Sequence, residues 1–429
     1  MLLPKALESE ERGFTLMEVM VAVTMTTAIL AAGFGALTIS QKTTRITGQV
    51  GNTQAAARNA LDMIAADLKL AGFGMQGLQG VVGGCQFNGQ MRGQCGGFID
   101  QGVVGGCQIN GMPSALVPGD NNPLGADFGS DTISILVPMT NSIAALGPLW
   151  QVFVPPAGMI GGPNLPISYI PMPSGATTAM GNAVPGGAAA LPGMAVSLGG
   201  VAGSTIQSVN TGGVNVNPPI PAPTQFGTGT QVYLVQCITY QVIPPPDALN
   251  ICQGNAPCLV RGAVPIGLVG PGGPPNCNQD GANCVPIMDG VEDLQLAYAC
   301  DGCDPRVNSG NPDGQLDDLN LSNLFDQADF ITDRNWFGVA APYGAYMTPD
   351  KIRMVQVNIV ARQTRTDQGM GEASQVMLNT TTIPTISDHN HATGVFALGD
   401  NTSPAQQQAY MQFRRRILTR TVELRNQRL

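Results

Sequence analysis

Between Phe14 and Ile39 the chain carries a single ionisable side chain, Glu18, in an otherwise apolar run. As a helix this segment would be roughly 39 Å long at about 1.5 Å per residue, enough to cross a bilayer. Such a stretch must face lipid or be covered by protein. A lone carboxylate in a spanning helix costs on the order of a few kcal/mol at full depth, which makes Glu18 a functional residue by default. A free amine on Phe14, one helical turn away, would be its natural partner. An ordinary secretory signal is the competing reading, and Ala31, Ala32, Gly33 and Gly35 supply small residues for its cleavage. Against it, the first thirteen residues hold Lys5 and Arg12 with Glu8, Glu10 and Glu11, which is not a basic start. Lys5 and Arg12 on one side match Lys42 and Arg45 on the other, so charge alone does not orient the span.

Residues 12–18 read Arg-Gly-Phe-Thr-Leu-Met-Glu. A glycine, an aromatic, Thr-Leu and a glutamate ahead of an apolar run resemble the start of a type IV prepilin. The resemblance implies a leader over 1–13, cut by a prepilin peptidase between Gly13 and Phe14, and N-methylation of Phe14. It also implies that 14–39 spans the inner membrane before entering the core of a filament. There Glu18 pairs with the amine of a neighbouring subunit and sets the filament register.

Composition and cysteine content bound the remainder. Gly (55) and Pro (33) make up about a fifth of 429 residues and charged residues 11%, which predicts many turns around a modest β core. Removal of 1–13 changes the formal charge from −9 to −8, because the segment holds two bases and three acids. An acidic chain with scattered bases is a poor nucleic-acid binder; a basic partner or a divalent cation suits it better. Ten cysteines all follow the apolar run, and in an oxidising compartment they read as up to five disulfides. Near neighbours are the first candidates: Cys252 with Cys258, Cys277 with Cys284, Cys300 with Cys303. Zinc is the alternative for Cys300-Asp-Gly-Cys303, which lacks a second half-site.

The pattern predicts an α+β fold. One long helix over 14–72 would pack on an antiparallel β head over 73–429 with long Gly/Pro-rich and disulfide-bearing loops, as in pilins. Ala57, Leu61, Ile64, Leu68 and Ala71 form a helical stripe, with Arg58, Asp62, Asp67 and Lys69 away from it. Gly33 and Gly35 weaken the helix by roughly 1 kcal/mol each and offer a point to bend. Gln79–Gly89 recurs almost unchanged at Gln101–Gly111, a duplicated loop bearing Cys85 and Cys107. Strands are predicted at 131–137, 231–242, 290–298 and 351–362, with a strand or helix-to-strand segment at 410–425. Residues 138–230, rich in Gly, Pro, Ala and Ser and almost uncharged, read as a mobile insertion with short strands.

Four stretches, LDMIAADLKLAGFG at 61–74, GSDTISILV at 129–137, GVEDLQLAY at 290–298 and FRRRILTRTVELRN at 413–426, resemble the PilW family of minor pilins. The family implies a structural protein, not an enzyme, that works with other minor pilins, the major pilin and a tip adhesin to prime assembly. It is implied to end at the pilus surface, at or near the tip. A type II secretion pseudopilin of the GspJ kind shares the cleavage motif. A tip adhesin using the 75–290 loops is a third reading.

In PilW-like chains an Asp-rich loop often follows this strand. Here Asp301, Asp304, Asn311, Asp313, Gly314, Asp317 and Asp318 approximate a Ca2+ loop, with a solvated acidic turn as the plain alternative. His389 and His391 read as an exposed loop rather than a metal site. Arg414, Arg415, Arg416, Arg420 and Arg425 form the positive cluster, suited to acidic partners or to protecting a strand edge. No nucleophile triad, phosphate loop or paired catalytic carboxylates stand out.

Overall fold

The computed structural model describes residues 14–73, 108–109, 112–113, 116–119, 130–139, 151–155, 158–184, 186–199, 201–243, 250–252, 256–265, 277, 283–306, 308–322, 324–331, 351–363 and 415–425. Gly13 and the leader, Cys85, Cys95, Cys107, most of the repeat, His389, His391 and Arg414 lie outside them. The chain divides into an N-terminal unit ending at Asn52 and a larger unit from Thr53 onward.

Helix α1, Leu16–Leu70, passes through Gly33 and Gly35 without a break. In the N-terminal unit every side chain from Phe14 to Arg45 is exposed. By length and composition this helix can cross a membrane. Its threonines fit that solvent: the Thr24, Thr26 and Thr27 hydroxyls donate to the carbonyls of Met20, Ala22 and Val23 at 3.0, 2.7 and 2.9 Å. Turned back on their own helix, they leave no unmet donor facing outward.

In the second unit the last turns of α1 bury Ala57, Leu61, Ile64, Leu68 and Ala71, the predicted stripe. Asp67 corrects the sequence expectation: it is buried as well, because an acceptor is needed on that face, as described below. The helix ends at Gly72, whose φ of 78° lies in the left-handed region that glycine adopts without strain.

Strands β1 (Gln108–Ile109) and β2 (Met112–Pro113) form a small hairpin, and β3 (Leu116–Gly119) pairs with β4 (Thr132–Pro138). Then come β5 (Met159–Gly161), β6 (Ile167–Pro171), helix α2 (Ala176–Asn182), β7 (Ala195–Leu198), β8 (Ala202–Asn210), β9 (Gly213–Ile220) and β10 (Gln225–Gly227). The chain continues through β11 (Val232–Ile243), β12 (Cys258–Pro265), β13 (Cys284–Asp289), β14 (Val291–Cys300), β15 (Ile352–Arg362) and β16 (Arg415–Glu423). All pairings are antiparallel.

Strand β11 organises the head because it is long enough to serve two assemblies. Val232–Leu234 pair with β7, which leads to β8, β9 and β6, while later residues pair with β4 and β12. Two cores meet along it. Val235, Cys237, Ile238 and Tyr240 join α1, β14 and β15 in one; Val232 and Leu234 join Met172, Met180, Leu191, Val214 and Phe226 in the other. The predicted period-two alternation is lost here, since β11 is buried on both faces.

The second core is built largely from 138–230. Over the described residues the short strands expected there pair into sheets with their own apolar interior. Gly and Pro interrupt the strand pattern there, and Met, Ala and Val supply the volume. A separate three-stranded sheet has the order β14–β15–β16, with Leu294 opposite Ile359 and Ile359 opposite Leu418. The tail at 410–425 is therefore a strand over its described part.

Candidate functional site

The N-terminal site is a helix start. Phe14 and Thr15 precede α1, and Phe14 is 85% exposed. A cut before Phe14 would thus leave the helix and its cap intact. The Thr15 backbone N–H and hydroxyl both donate to Glu18 Oε2 at 3.1 Å, and Glu18 N–H donates to Thr15 Oγ1 at 3.3 Å. This reciprocal arrangement is a capping box, with Thr15 as N-cap and Glu18 at the third helical position. The carboxylate also sits where the helix dipole favours negative charge. Glu18 therefore has donors within its own chain. The signal was present as Thr15-x-x-Glu18 but is masked by the apolar context, which draws attention to the carboxylate as an isolated charge.

A second constellation fastens α1 to the sheet. Tyr240 Oη donates to Asp67 Oδ2 at 2.6 Å, and Arg261 Nε donates to the same oxygen at 2.8 Å. Tyr240 comes from β11 and Arg261 from β12, neighbours in register with each other. Burial, and then the Asp67 carboxylate, push the Tyr240 phenol far above its ordinary pKa, so it stays protonated and donates to Asp67. On the solvent side of the helix Arg420 of β16 reaches Asp62. Arg415 is bound by Glu292, which Arg362 also contacts at 3.1 Å. Two arginines of the predicted positive cluster, Arg415 and Arg420, therefore bind acids of this same chain.

In the GVEDLQ segment, Asp293 is buried and accepts from Ser130 Oγ at 2.7 Å and from Gln295 Nε2 at 2.9 Å. Burial raises its pKa to about 7, against the pull of those donors. Asp131 Oδ2 accepts from Leu296 N–H at 2.8 Å. Both acids thus join the segment before β4 to β14. The contacts that cross between the two segments, Ser130 to Asp293 and Leu296 to Asp131, span 163 and 165 residues, so no local pattern marks them.

The structure joins Cys252 to Cys258, Cys277 to Cys284 and Cys300 to Cys303 as disulfides. In the Asp-rich loop the carboxylates are taken up internally. Asp317 accepts backbone N–H groups from Gly302, Cys303 and Asp304 at 3.0, 2.6 and 2.9 Å. Burial raises its pKa, and those three amides oppose the rise. Asp301 accepts from the amides of Asp313 and Gly314 at 2.8 and 3.1 Å and lies 3.6 Å from Arg353. Asp304 holds Arg306, and the Asp313 side chain accepts from Gln315 N–H. Lys351 Nζ ties the loop by donating to the carbonyls of Gly302 and Gly310.

Among the described residues the one group of metal-type ligands that converges is Cys300, Cys303 and Asp317, within 4.8 Å of one another. Its sulfurs are joined to each other, so they offer no thiolate. This donor set does not fit a Ca2+ cage, which needs several oxygens turned to one point. Adding Ca2+ after EDTA should leave the unfolding temperature of the full chain unchanged. A rise of several degrees would show that the loop rebuilds around the ion.

Residues 253–426 match the family model PilW, Type IV Pilus-assembly protein W. No curated protein and no solved structure matches the chain. With the long apolar helix and the disulfide-bearing β head, the match supports a type IV pilus assembly-related protein. The family it supports is PilW, over the region that holds β12 to β16, the Asp-rich loop and most of the arginine-rich tail. The match spans less than half of the chain, and it covers neither α1 nor the second core.

Proposed function

We propose that the chain is a minor type IV pilin of PilW type, a structural protein rather than an enzyme. A prepilin peptidase cuts between Gly13 and Phe14, and Phe14 is methylated. The product is held in the inner membrane by 14–39 as a single span. With other minor pilins and the major pilin it then primes assembly and takes a place at or near the pilus tip. One observation carries this reading: a capped, fully exposed apolar helix with one carboxylate, Glu18, heads a chain whose C-terminal part matches PilW. The capping box would serve any membrane anchor; in a helix that leaves lipid for a protein filament, Glu18 is in addition the acceptor for the amine of a neighbouring subunit. The family match favours PilW over a GspJ-like pseudopilin.

Mass spectrometry of the N-terminus from membrane and sheared-filament fractions, with and without the prepilin peptidase, tests this. The expected filament form begins at methylated Phe14. An intact start, or cleavage near Ala32–Gly35, would sink the proposal.

A further inference from the structure

Outside α1, the described residues expose large apolar side chains most densely at Leu321, Leu324 and Phe325, which are 56, 74 and 39% exposed. All three lie in one closed loop. Asn320 Nδ2 donates to Asp326 Oδ1 at 3.2 Å, so the ends of 320–326 meet. Within it, Ser322 Oγ donates to Leu324 O at 2.8 Å and accepts from Leu324 N–H at 3.3 Å. At about 3.8 Å per residue, three steps carry Leu324 no more than about 11 Å from Leu321. Phe325 follows directly and meets Phe330 edge-on at 5.4 Å. The three side chains therefore belong to one patch.

The loop is mounted firmly on the head. Asp329 is buried and accepts from the amides of Leu319, Asn320 and Asp326 at 2.8, 3.2 and 2.6 Å. Ile331 exchanges backbone hydrogen bonds with Tyr298 of β14, and the Gln327 and Gln356 side chains exchange two more at 3.0 Å, which reach β15. Leu319 packs on the core shared by α1, β14 and β15. A loop ordered in advance gives up little freedom when it is gripped.

Leu321 is costly where it stands. Its φ of 59° lies in the left-handed region, which strains a bulky side chain. Glycine would hold that backbone without strain. More than half exposed, Leu321 returns little burial to the head. A residue that costs the fold in this way points to a contact outside it.

Charge identifies the kind of contact. From Val307 to Ile331 the chain holds five aspartates and no base. Asp326, inside the loop, and Asp313 are exposed. We infer that 320–326 is a docking knob for a different protein, one that offers an apolar socket rimmed by Lys or Arg. A second copy docking through the same loop would set aspartate against aspartate. Arg415 and Arg420 of this chain are already held by Glu292 and Asp62. Anionic lipid is repelled by the same carboxylates. The inference goes beyond the minor-pilin reading and does not depend on how the N-terminus is processed.

The test places a photocrosslinker in the full chain, Leu324→p-benzoylphenylalanine, in cells whose own copy is deleted. Membranes are irradiated at about 0.1 M and about 1 M salt, where screening lengths are about 10 and 3 Å. The expected product joins the chain to one other protein, through an apolar peptide with Lys or Arg close by, and its yield falls at high salt. Adding Leu321→Gly should cut the yield about tenfold, as loss of a buried leucine requires, while the unfolding temperature holds or rises. Leu321→Asn, which also tolerates this backbone, should do the same.

No product, a product with lipid, or a product with a second copy would overturn the inference. So would a yield that both Leu321 variants leave unchanged, or one that high salt leaves unchanged or raises. A fall in unfolding temperature in both variants would overturn it in favour of a structural role for Leu321. The N-terminal mass of the uncrosslinked chain in the same membranes reports on the minor-pilin reading separately.

Discussion

Replacing Asp67 by Ala lowers the stability of the chain by about 3–5 kcal/mol, read as a fall in the urea midpoint of the full chain in detergent. The size follows from what is left behind. Tyr240 loses its acceptor while fully buried, and the Arg261 guanidinium, 21% exposed, loses its counter-ion. Tyr240→Phe removes one donor and leaves the ion pair, so it should cost only about 1 kcal/mol. The double replacement Asp67→Leu/Arg261→Met should recover most of the loss, because no orphaned charge remains. A single Asp67→Ala effect below about 1 kcal/mol would show that water reaches the site and that the network is not what fastens α1.

The second large effect is expected at Asp317. Its carboxylate is the common acceptor for three consecutive amides, Gly302 to Asp304, in a loop with little regular structure. Each orphaned buried donor costs about 1–3 kcal/mol, so loss of the acceptor for three amides in Asp317→Ala should remove about 3–9 kcal/mol locally. The loop should open before the sheets do. Hydrogen exchange at 302–304 should therefore accelerate in the variant while β14 and β15 keep their protection. Gly302→Ala should open the same loop from the other side: its φ is 88°, and an added Cβ would lie 2.6 Å from Pro312 N. Unchanged exchange at 302–304 in both variants would mean that the disulfide and Lys351 hold the loop without Asp317.

Much of this was legible in the sequence because the signals were local. The helix stripe follows a 3.6-residue period, and the main strands are apolar runs bounded by turn residues. Pairing of near cysteines needs only short loops to close. The capping box at Thr15 and Glu18 was equally local and was obscured by the hydrophobic surroundings. Asp67 was illegible for the opposite reason. Its partners lie 173 and 194 residues away, and nothing in the helix pattern separates a surface aspartate from one that meets two donors across the core. The Asp-rich loop shows a different limit. A string of carboxylates looks the same in sequence whether its oxygens turn to a cation or to backbone amides. Residues 138–230 looked loose because Gly and Pro break the periodicity, yet their strands find one another through pairing that no single strand reveals.

The last strand closes on the first helix. Strand β16 pairs with β15, and its Arg420 reaches Asp62 in α1, 358 residues earlier. A chain delivered from its N-terminus must therefore wait, with the sheet edge at β15 open, until β16 has emerged. A chain that stops short of β16 has no means of sealing that edge. Synthesis through β16 thus becomes a condition for closing that edge, and a copy cut before Arg415 leaves β15 exposed to proteolysis.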